Sequence, residues 1–185
     1  MTDIRYLNSD ELEQGLDYIL QSPKDEGTVE LIVRRPGVDQ REVLAAGRLD
    51  TEQGLVGDNW LARGSRHMPD SKADPDMQIN IMNARVVALV ADDPDRRDLA
   101  GDQLYVDMDL SPGNLPPGTQ LEFGEAIVEV TEPPHTGCKK FAARFGNDAV
   151  LFVNAGLGKK LNFRGICAKV VRSGNIKAGD VARKL

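Results

Sequence analysis

The sequence predicts a mostly β, barrel-like domain with a few helices and largely antiparallel strands. Six short runs of apolar or alternating character are typical of strands, at residues 29–34, 42–49, 77–82, 103–110, 126–131 and 165–171. The 18 glycines and 10 prolines of the 185-residue chain suit the many tight turns of such a fold. The helical patterns are short and lie between the strands, which favours a curved barrel over a parallel sheet covered by helices.

The helices and turns follow from spacing and from breaking residues. From Ser9 to Gln21, leucine and isoleucine recur at helical spacing, Asn8 or Ser9 can cap the helix, and Pro23 closes it. The chain shows neither an internal repeat nor a linker, so all elements belong to one domain. The remaining predicted elements are helices at 84–91, 138–145 and 147–155, a long surface loop at 63–76, and a final hairpin with turns at 173–175 and 178–180.

Length and composition are those of an ordinary globular domain. Hydrophobic residues make up 41% of the chain and charged residues 28%. No apolar run approaches the roughly 18 residues that a membrane span needs. Met1–Asp10 lacks the basic and then apolar pattern of a secretory signal, and two cysteines are too few for a disulfide framework. We therefore expect a cytoplasmic protein with reduced thiols and no membrane partner.

The charge is unevenly distributed along the chain. The net charge is −6, which is not the electrostatic footprint of a nucleic-acid-binding protein. Residues 135–185 nevertheless hold eleven Lys and Arg but only two acids, so this segment carries +9 and the other 134 residues carry −15. The basic segment indicates either a small anionic ligand or neutralisation of acidic surfaces packed against it, and the sequence leaves both open.

Cys138 is the first candidate for chemistry. It follows a proline-containing strand end, and Thr136 can cap the next helix so that the cysteine lies in its first turn. There the helix dipole, Lys139 and Lys140 would favour the thiolate, which metal ligation, persulfide carriage and nucleophilic attack all require. His135, three residues earlier, is a candidate base for the same thiol. The alternative is a small buried hydrophobe on the inner face of the helix.

The other candidates for metal or thiol chemistry are weaker. Cys167 lies in the apolar run 165–171, where a packed and inert thiol is expected. Two cysteines without a CxxC spacing and two histidines do not support a zinc site. One further cluster has the right residue types for a metal but lies in a solvated loop: His67, Asp70, Asp74 and Asp76.

Three glycine-containing turns have both structural and functional interpretations. Asp58 closes the turn Gly54–Asp58, where an aspartate commonly braces the backbone and less often faces a ligand. Lys177–Asp180 has the same form and is interpreted as structural. Gly156–Lys160 can cradle an anion through backbone N–H groups and two lysines, but a mobile turn is the simpler interpretation.

Taken in order, these motifs resemble the MOSC family, which is related to the C-terminal part of molybdenum cofactor sulfurases. Gly54–Asp58 is similar to the family's G-x-x-G-D turn, and Cys138 stands at the position of the family cysteine. Residues 164–180 resemble the closing R-G-[IV] … G … A-G-D signature, which is the most specific of the matches. Gln78 and Gly101–Leu104 resemble weaker family stretches.

The resemblance covers residues 40–183 as the core of a single domain, 1–185. Residues 1–39 add an N-terminal helix and the first strand to that core. Two positions depart from the family pattern. Asn59-Trp60 follows the G-D turn where many relatives have His or Arg, and Gln103 stands where Asn is common.

The resemblance implies a barrel that binds the molybdenum cofactor or handles activated sulfur. It assigns Cys138 as a molybdenum ligand or a persulfide carrier, and some relatives reduce N-hydroxylated compounds. The cofactor carries a phosphate, for which Arg164 is the first choice. A cysteine desulfurase or a separate electron-donor protein would be the partner. Weaker candidates for the cofactor pocket are Asp58, Lys139, Lys140 and Lys169.

Two other functions remain open from the sequence. A non-catalytic binding or scaffold module would keep the fold without the chemistry. A cysteine-nucleophile enzyme would act through His135. The sequence alone also leads to the expectation that Arg164→Ala weakens anion binding and leaves the fold intact. The alternative for Arg164 is a salt bridge to one of the many acids in the first 134 residues.

Overall fold

A computed structural model describes residues 4–65 and 68–185 of the chain. Its strands are β1 (Glu26–Arg34), β2 (Glu42–Leu44), β3 (Ala46–Asp50), β4 (Gly54–Leu55), β5 (Ile79–Asn83), β6 (Leu104–Asp107), β7 (Gln120–Phe123), β8 (Ala126–Pro134), β9 (Ile166–Arg172), β10 (Gly174–Lys177) and β11 (Val181–Lys184). Its helices are α1 (Ser9–Gln14), α2 (Leu16–Leu20), α3 (Trp60–Arg63), α4 (Ala84–Ala91), α5 (Lys139–Phe145), α6 (Asn147–Asn154) and α7 (Gly156–Lys160). Two 3₁₀ helices lie at Pro75–Met77 and Pro94–Ala100.

Seven of these strands close into a barrel. Their order is β1-β11-β7-β8-β9-β5-β6, and β6 pairs with β1 to complete the ring. Every pair is antiparallel except β5 and β6, which run parallel and are joined by a crossover through α4 and the second 3₁₀ helix. β2 pairs with β1, while β10, β3 and β4 form a separate three-stranded sheet. The prediction of a mostly β, largely antiparallel barrel is confirmed.

Alternating side chains of the strands build two apolar cores. Along β6, Leu104 and Val106 belong to one buried cluster and Tyr105 to the other, as expected when successive side chains point to opposite faces. The second cluster includes Phe141 and Phe145 of α5, whose rings lie 4.9 Å apart. Burial of these two rings fixes α5 against the barrel.

Four local predictions differ from the structure. The predicted helix 9–21 is divided at Gly15, where a Cβ would lie 2.6 Å from the Leu89 side chain and glycine therefore permits the close packing. The run 42–49 forms two strands, because β2 pairs with β1 and β3 pairs with β10. Gly156–Lys160 is helical rather than a mobile turn. β10 and β11 do not form the predicted hairpin, since β11 pairs with β1 and β7.

The helices of the described chain are all short. Within residues 4–65 and 68–185, none is long and apolar enough to cross a bilayer.

Candidate functional site

The protein has a cavity of about 290 Å³ that is lined by the barrel strands and the segments beside them. Its lining includes residues that follow β1 and β8, a residue of β5, and residues that precede β6 and β9. Helix α5 and the loop after β1 complete the wall. The cavity is cationic, because its described lining contains one acid, Asp39, and several basic side chains. The basic residues are Arg35, Arg41, Arg63, Lys140, Arg144 and Arg164.

Cys138 lies in the wall of this cavity and is exposed. It is itself the N-cap residue of α5, with extended backbone angles, so it stands one position before the first turn that the sequence predicted. The predicted Thr136 cap is therefore wrong, because the helix begins two residues later than that cap requires. The exposed thiol is available to a ligand in the cavity.

Arg164 reaches the same cavity from the residue pair that precedes β9. Gly165 has a φ of 120°, and a Cβ on it would lie 2.2 Å from the carbonyl oxygen of Ile81. Only glycine accepts this conformation and this close approach without strain. The Arg-Gly pair thus has a steric basis: the glycine allows the turn that directs the arginine to the cavity.

Asp102 is fully buried beneath the cavity and holds Arg164 in place. Arg164 Nη1 donates to both carboxylate oxygens, at 2.9 and 2.7 Å, and its Nη2 donates to the carbonyl oxygen of Ala100 at 3.0 Å. His135 Nε2 lies 2.6 Å from the same carboxylate. Burial opposes ionisation of Asp102, but Arg164 and His135 outweigh it and hold its pKa below the usual range. Asp102 is therefore a carboxylate that orients two residues of the cavity.

His135 is neutral at pH 7. Burial, followed by the charge of Arg164, lowers its pKa below the ordinary value of 6.5. Its Nε2–H consequently donates to Asp102. Among the described residues no hydrogen bond joins this imidazole to Cys138, so its role as a base for the thiol stays a prediction.

Arg35 forms a second buried ion pair below the cavity. Its Nε and Nη2 donate to the two carboxylate oxygens of Asp58, each at 2.8 Å. Asp58 also accepts the backbone N–H groups of Arg35 and Trp60, both at 2.9 Å. Asp58 therefore braces its turn and orients an arginine that lines the cavity. Sequence reasoning missed Arg35, although an arginine pair, Arg34-Arg35, directly after an apolar strand and before a proline is an available signal.

The three candidate lysines occupy different places. Lys140 lines the cavity and pairs with Asp39 at 2.8 Å. Lys139 precedes it on α5, and Lys169 lies on β9, where it pairs with Glu129 of β8 at 3.2 Å. Both lie outside the cavity lining, so the structure brings Lys140 to the site but neither of the other two.

Three buried polar atoms of the cavity residues lack a hydrogen-bond partner within the described part of the chain. Two are donors, the Nε groups of Arg41 and Arg164, and one is an acceptor, Oδ1 of Asn59. An unsatisfied buried polar atom costs about 1–3 kcal/mol, so such atoms normally find a partner in the protein, in water or in a ligand. Burial and the nearby charge of Arg144 also lower the pKa of Arg41. The arrangement suits a ligand that carries negative charge.

A model of the MOSC domain matches residues 69–183, which is more than half of the chain. The chain belongs to the MOSC domain family. The matched segment contains Asp102, Cys138 and Arg164, and the second ion pair, between Arg35 and Asp58, lies before it.

Solved structures show that the MOSC fold extends beyond the matched segment. The YuaD protein from Bacillus subtilis is 18% identical, with 85% of this chain and 94% of that chain covered and a TM-score of 0.59. YiiM from Escherichia coli is 20% identical, with 85% and 69% covered and a TM-score of 0.54. YiiM from Geobacillus stearothermophilus is 13% identical, with 88% and 73% covered and a TM-score of 0.52. A search of curated proteins found no significant match. At these identities the likeness concerns the fold.

The cavity of this MOSC protein offers a metal few protein ligands. In the part of the chain that the structure describes, no group of three His, Cys, Asp or Glu side chains is arranged to hold a metal ion. The cluster that the sequence suggested around Asp70 depends on His67, which lies outside the described residues. A metal bound beside Cys138 would therefore bring most of its ligands with it.

Cys167 lies in the barrel wall of the MOSC domain, away from solvent. The Nδ2 group of Asn80 donates to its Sγ at 3.5 Å. Burial raises the pKa of the Cys167 thiol to about 12, so it carries almost no thiolate at neutral pH.

We expect iodoacetamide to alkylate Cys138 of the folded MOSC protein at least about tenfold faster than Cys167 at pH 7.5, because only the first thiol is exposed. Peptide mass mapping over a time course measures both rates in one sample. A bound cofactor should protect Cys138, whereas a persulfide on Cys138 should itself be alkylated at its outer sulfur. Labelling of Cys167 first, or of neither thiol before unfolding, would contradict the assignment of Cys138 as the reactive residue.

Proposed function

We propose that this MOSC protein binds the molybdenum cofactor in the cationic cavity, with the Cys138 thiolate as a molybdenum ligand or as a carrier of persulfide sulfur. One observation carries the proposal: an exposed cysteine and a buried arginine with an unpartnered Nε line the same cavity. A soft thiolate beside guanidinium donors suits a ligand that combines a soft centre with an anionic group.

The residues present fit the cofactor in charge and in donor set. The Nε groups of Arg41 and Arg164 are free to donate to phosphate oxygens, for which the planar guanidinium is well suited. Cys138 supplies one soft ligand, which is sufficient for a metal whose other ligands belong to an organic cofactor. When bound, the cofactor supplies redox chemistry at molybdenum. The protein supplies the binding, the orientation and the electrostatic environment.

Each residue of the cavity has a distinct part in this proposal. Arg164 binds the anionic group, and Asp102 holds its guanidinium in a fixed orientation. Lys140 lies exposed on the cavity lining, where its charge attracts the anion. In the carrier role, the Cys138 thiolate attacks the terminal sulfur of a donor persulfide. That sulfur–sulfur bond breaks, the donor leaves as a thiolate, and Cys138 retains the sulfur as a persulfide.

We expect the protein from molybdate-supplied cells to contain molybdenum and a pterin in near-equal amounts, or else sulfur that cyanide releases as thiocyanate. Cys138→Ser should retain less than about one fifth of that content, because an alcohol is a poor ligand for a soft metal and carries no sulfur. Elemental analysis, pterin fluorescence after oxidation, and thiocyanate assay measure the three contents.

Cys167→Ala is the matched control, since its thiol is buried in the barrel wall and should not affect loading. Equal loading of wild type and Cys138→Ser would contradict the role of the cysteine. Protein that lacks molybdenum, pterin and releasable sulfur under these conditions would favour a non-catalytic binding module.

A further inference from the structure

Asn59 lines the cavity, and its side-chain oxygen makes no hydrogen bond within the described residues. It is the N-cap residue of α3, yet its side chain makes no capping hydrogen bond. Its backbone N–H donates to the carbonyl oxygen of Arg35 at 2.8 Å, which fixes its position at the cavity wall. Its Oδ1 is buried and has no partner among the described residues.

The absence of a cap at this helix has a local cause. An N-cap asparagine normally accepts a backbone N–H of the first helical turn through its side chain. Here the preceding residue has taken over part of that role, because Asp58 Oδ1 accepts the N–H of Trp60 at 2.9 Å. The amide of Asn59 is thereby released from the helix, and the residue lies against the cavity.

The three unpartnered atoms of the cavity are two donors and one acceptor, and this difference restricts which ligands can pair with all of them. The Nε groups of Arg41 and Arg164 need acceptors, which any oxyanion provides. Oδ1 of Asn59 needs a donor, and sulfate has none. A simple oxyanion would therefore satisfy the arginines and leave the asparagine oxygen buried and unpaired, at a cost in affinity.

We infer that the ligand of this cavity carries an N–H or O–H donor beside its negative charge, and that Asn59 selects such an organic anion over a simple oxyanion. The inference rests on the proposed function and adds a requirement to it. The amino-oxo ring of a pterin offers N–H donors of this kind, and the attached anionic group meets the arginines.

The test compares two probes on wild type and on Asn59→Leu. Pterin-6-carboxylate is a fluorescent anion with N–H donors, and sulfate is an anion without them. We expect Asn59→Leu to weaken binding of pterin-6-carboxylate at least about fivefold, the loss of one buried hydrogen bond. Sulfate affinity, measured by calorimetry, should change less than about twofold, because the charges of the cavity are unaltered.

Two further variants keep the test decisive. Asn59→Leu removes no hydrogen bond of the described structure, so its thermal unfolding should match that of wild type. Asn59→Asp keeps an acceptor but adds a negative charge, so it should weaken sulfate binding at least as much as binding of pterin-6-carboxylate. Asn147→Leu, at an exposed position outside the cavity, should change neither affinity.

Equal effects of Asn59→Leu on the two probes, or an effect on neither, would overturn the inference. So would wild type that binds sulfate but not pterin-6-carboxylate, or that binds neither probe. Molybdenum and pterin content reports separately on the proposed function. If wild type contains molybdenum and pterin but Asn59→Leu affects the affinities for the two probes equally, the proposed function stands and the inference about Asn59 fails. Selective binding in a protein that takes up neither molybdenum nor sulfur would keep the inference for another organic anion.

Discussion

Replacing Arg164 with methionine should lower the free energy of unfolding by about 3–5 kcal/mol, the usual cost of breaking a buried ion pair from one side. The arginine is 5% exposed, and its Nη1 donates to both carboxylate oxygens of Asp102, which is fully buried. Without it, His135 is the one side-chain partner of the carboxylate that remains among the residues the structure describes. Urea unfolding followed by the fluorescence of the single tryptophan measures the change without adding salt to an anion site.

A second substitution in the same protein removes the carboxylate charge that Arg164→Met leaves unpaired. Adding Asp102→Asn to Arg164→Met should recover at least about half of the loss, since the remaining amide still accepts from His135. Arg172→Met, at an exposed arginine at the end of β9, should cost less than about 0.5 kcal/mol. A loss below about 1 kcal/mol for Arg164→Met would show that Asp102 is not a buried charge. Because Asp102 is a buried partner of Arg164, we expect Arg164→Ala to destabilise the fold. The sequence alone leads to the contrary expectation that this variant leaves the fold intact.

Asp58→Ala should destabilise the protein by about 3–5 kcal/mol for a related reason. The Asp58 side chain is fully buried, and it accepts two hydrogen bonds from the guanidinium of Arg35 and two from backbone N–H groups. The cavity also gains one net positive charge. Sulfate affinity should therefore rise or stay constant while stability falls, and calorimetry together with urea unfolding separates the two effects.

Asp180→Ala is the matched control for this variant. Asp180 closes the other glycine turn of the same form and accepts the N–H of Lys177 at 2.8 Å, and no arginine of the described ranges pairs with it. Its loss should cost about 1 kcal/mol, as for a single turn or cap hydrogen bond. If the two alanine variants lose the same stability, Asp58 acts only as a turn brace.

The barrel could be predicted from the sequence because strand character is local, but strand pairing is not. The run 42–49 shows continuous strand character and contains no sign that its halves pair with β1 and β10. The turns near the C-terminus show where the chain reverses direction. They do not show that β10 and β11 pair with distant strands rather than with each other.

Part of the candidate site could be predicted from the sequence for the same reason. Cys138 and Arg164 stand out by residue type and motif, whereas the importance of Arg35 and Asp102 lies in their partners. Arg35 and Asp58 are 23 positions apart, and Asp102 and Arg164 are 62 apart. A buried ion pair of this kind becomes visible only when the fold brings its members together.

The ring of strands closes where β1 meets β11, and this closure has a consequence for synthesis of the chain. Glu26 and Arg183, which pair across it, are separated by 157 positions. Contacts of such long range form late, because a long loop must be ordered before they contribute. On the ribosome, the edge of β1 at residues 26–28 therefore stays unpaired until the last strand has emerged. The nascent chain exposes an open β edge that the finished protein does not, so demand for chaperones should be greatest in that interval.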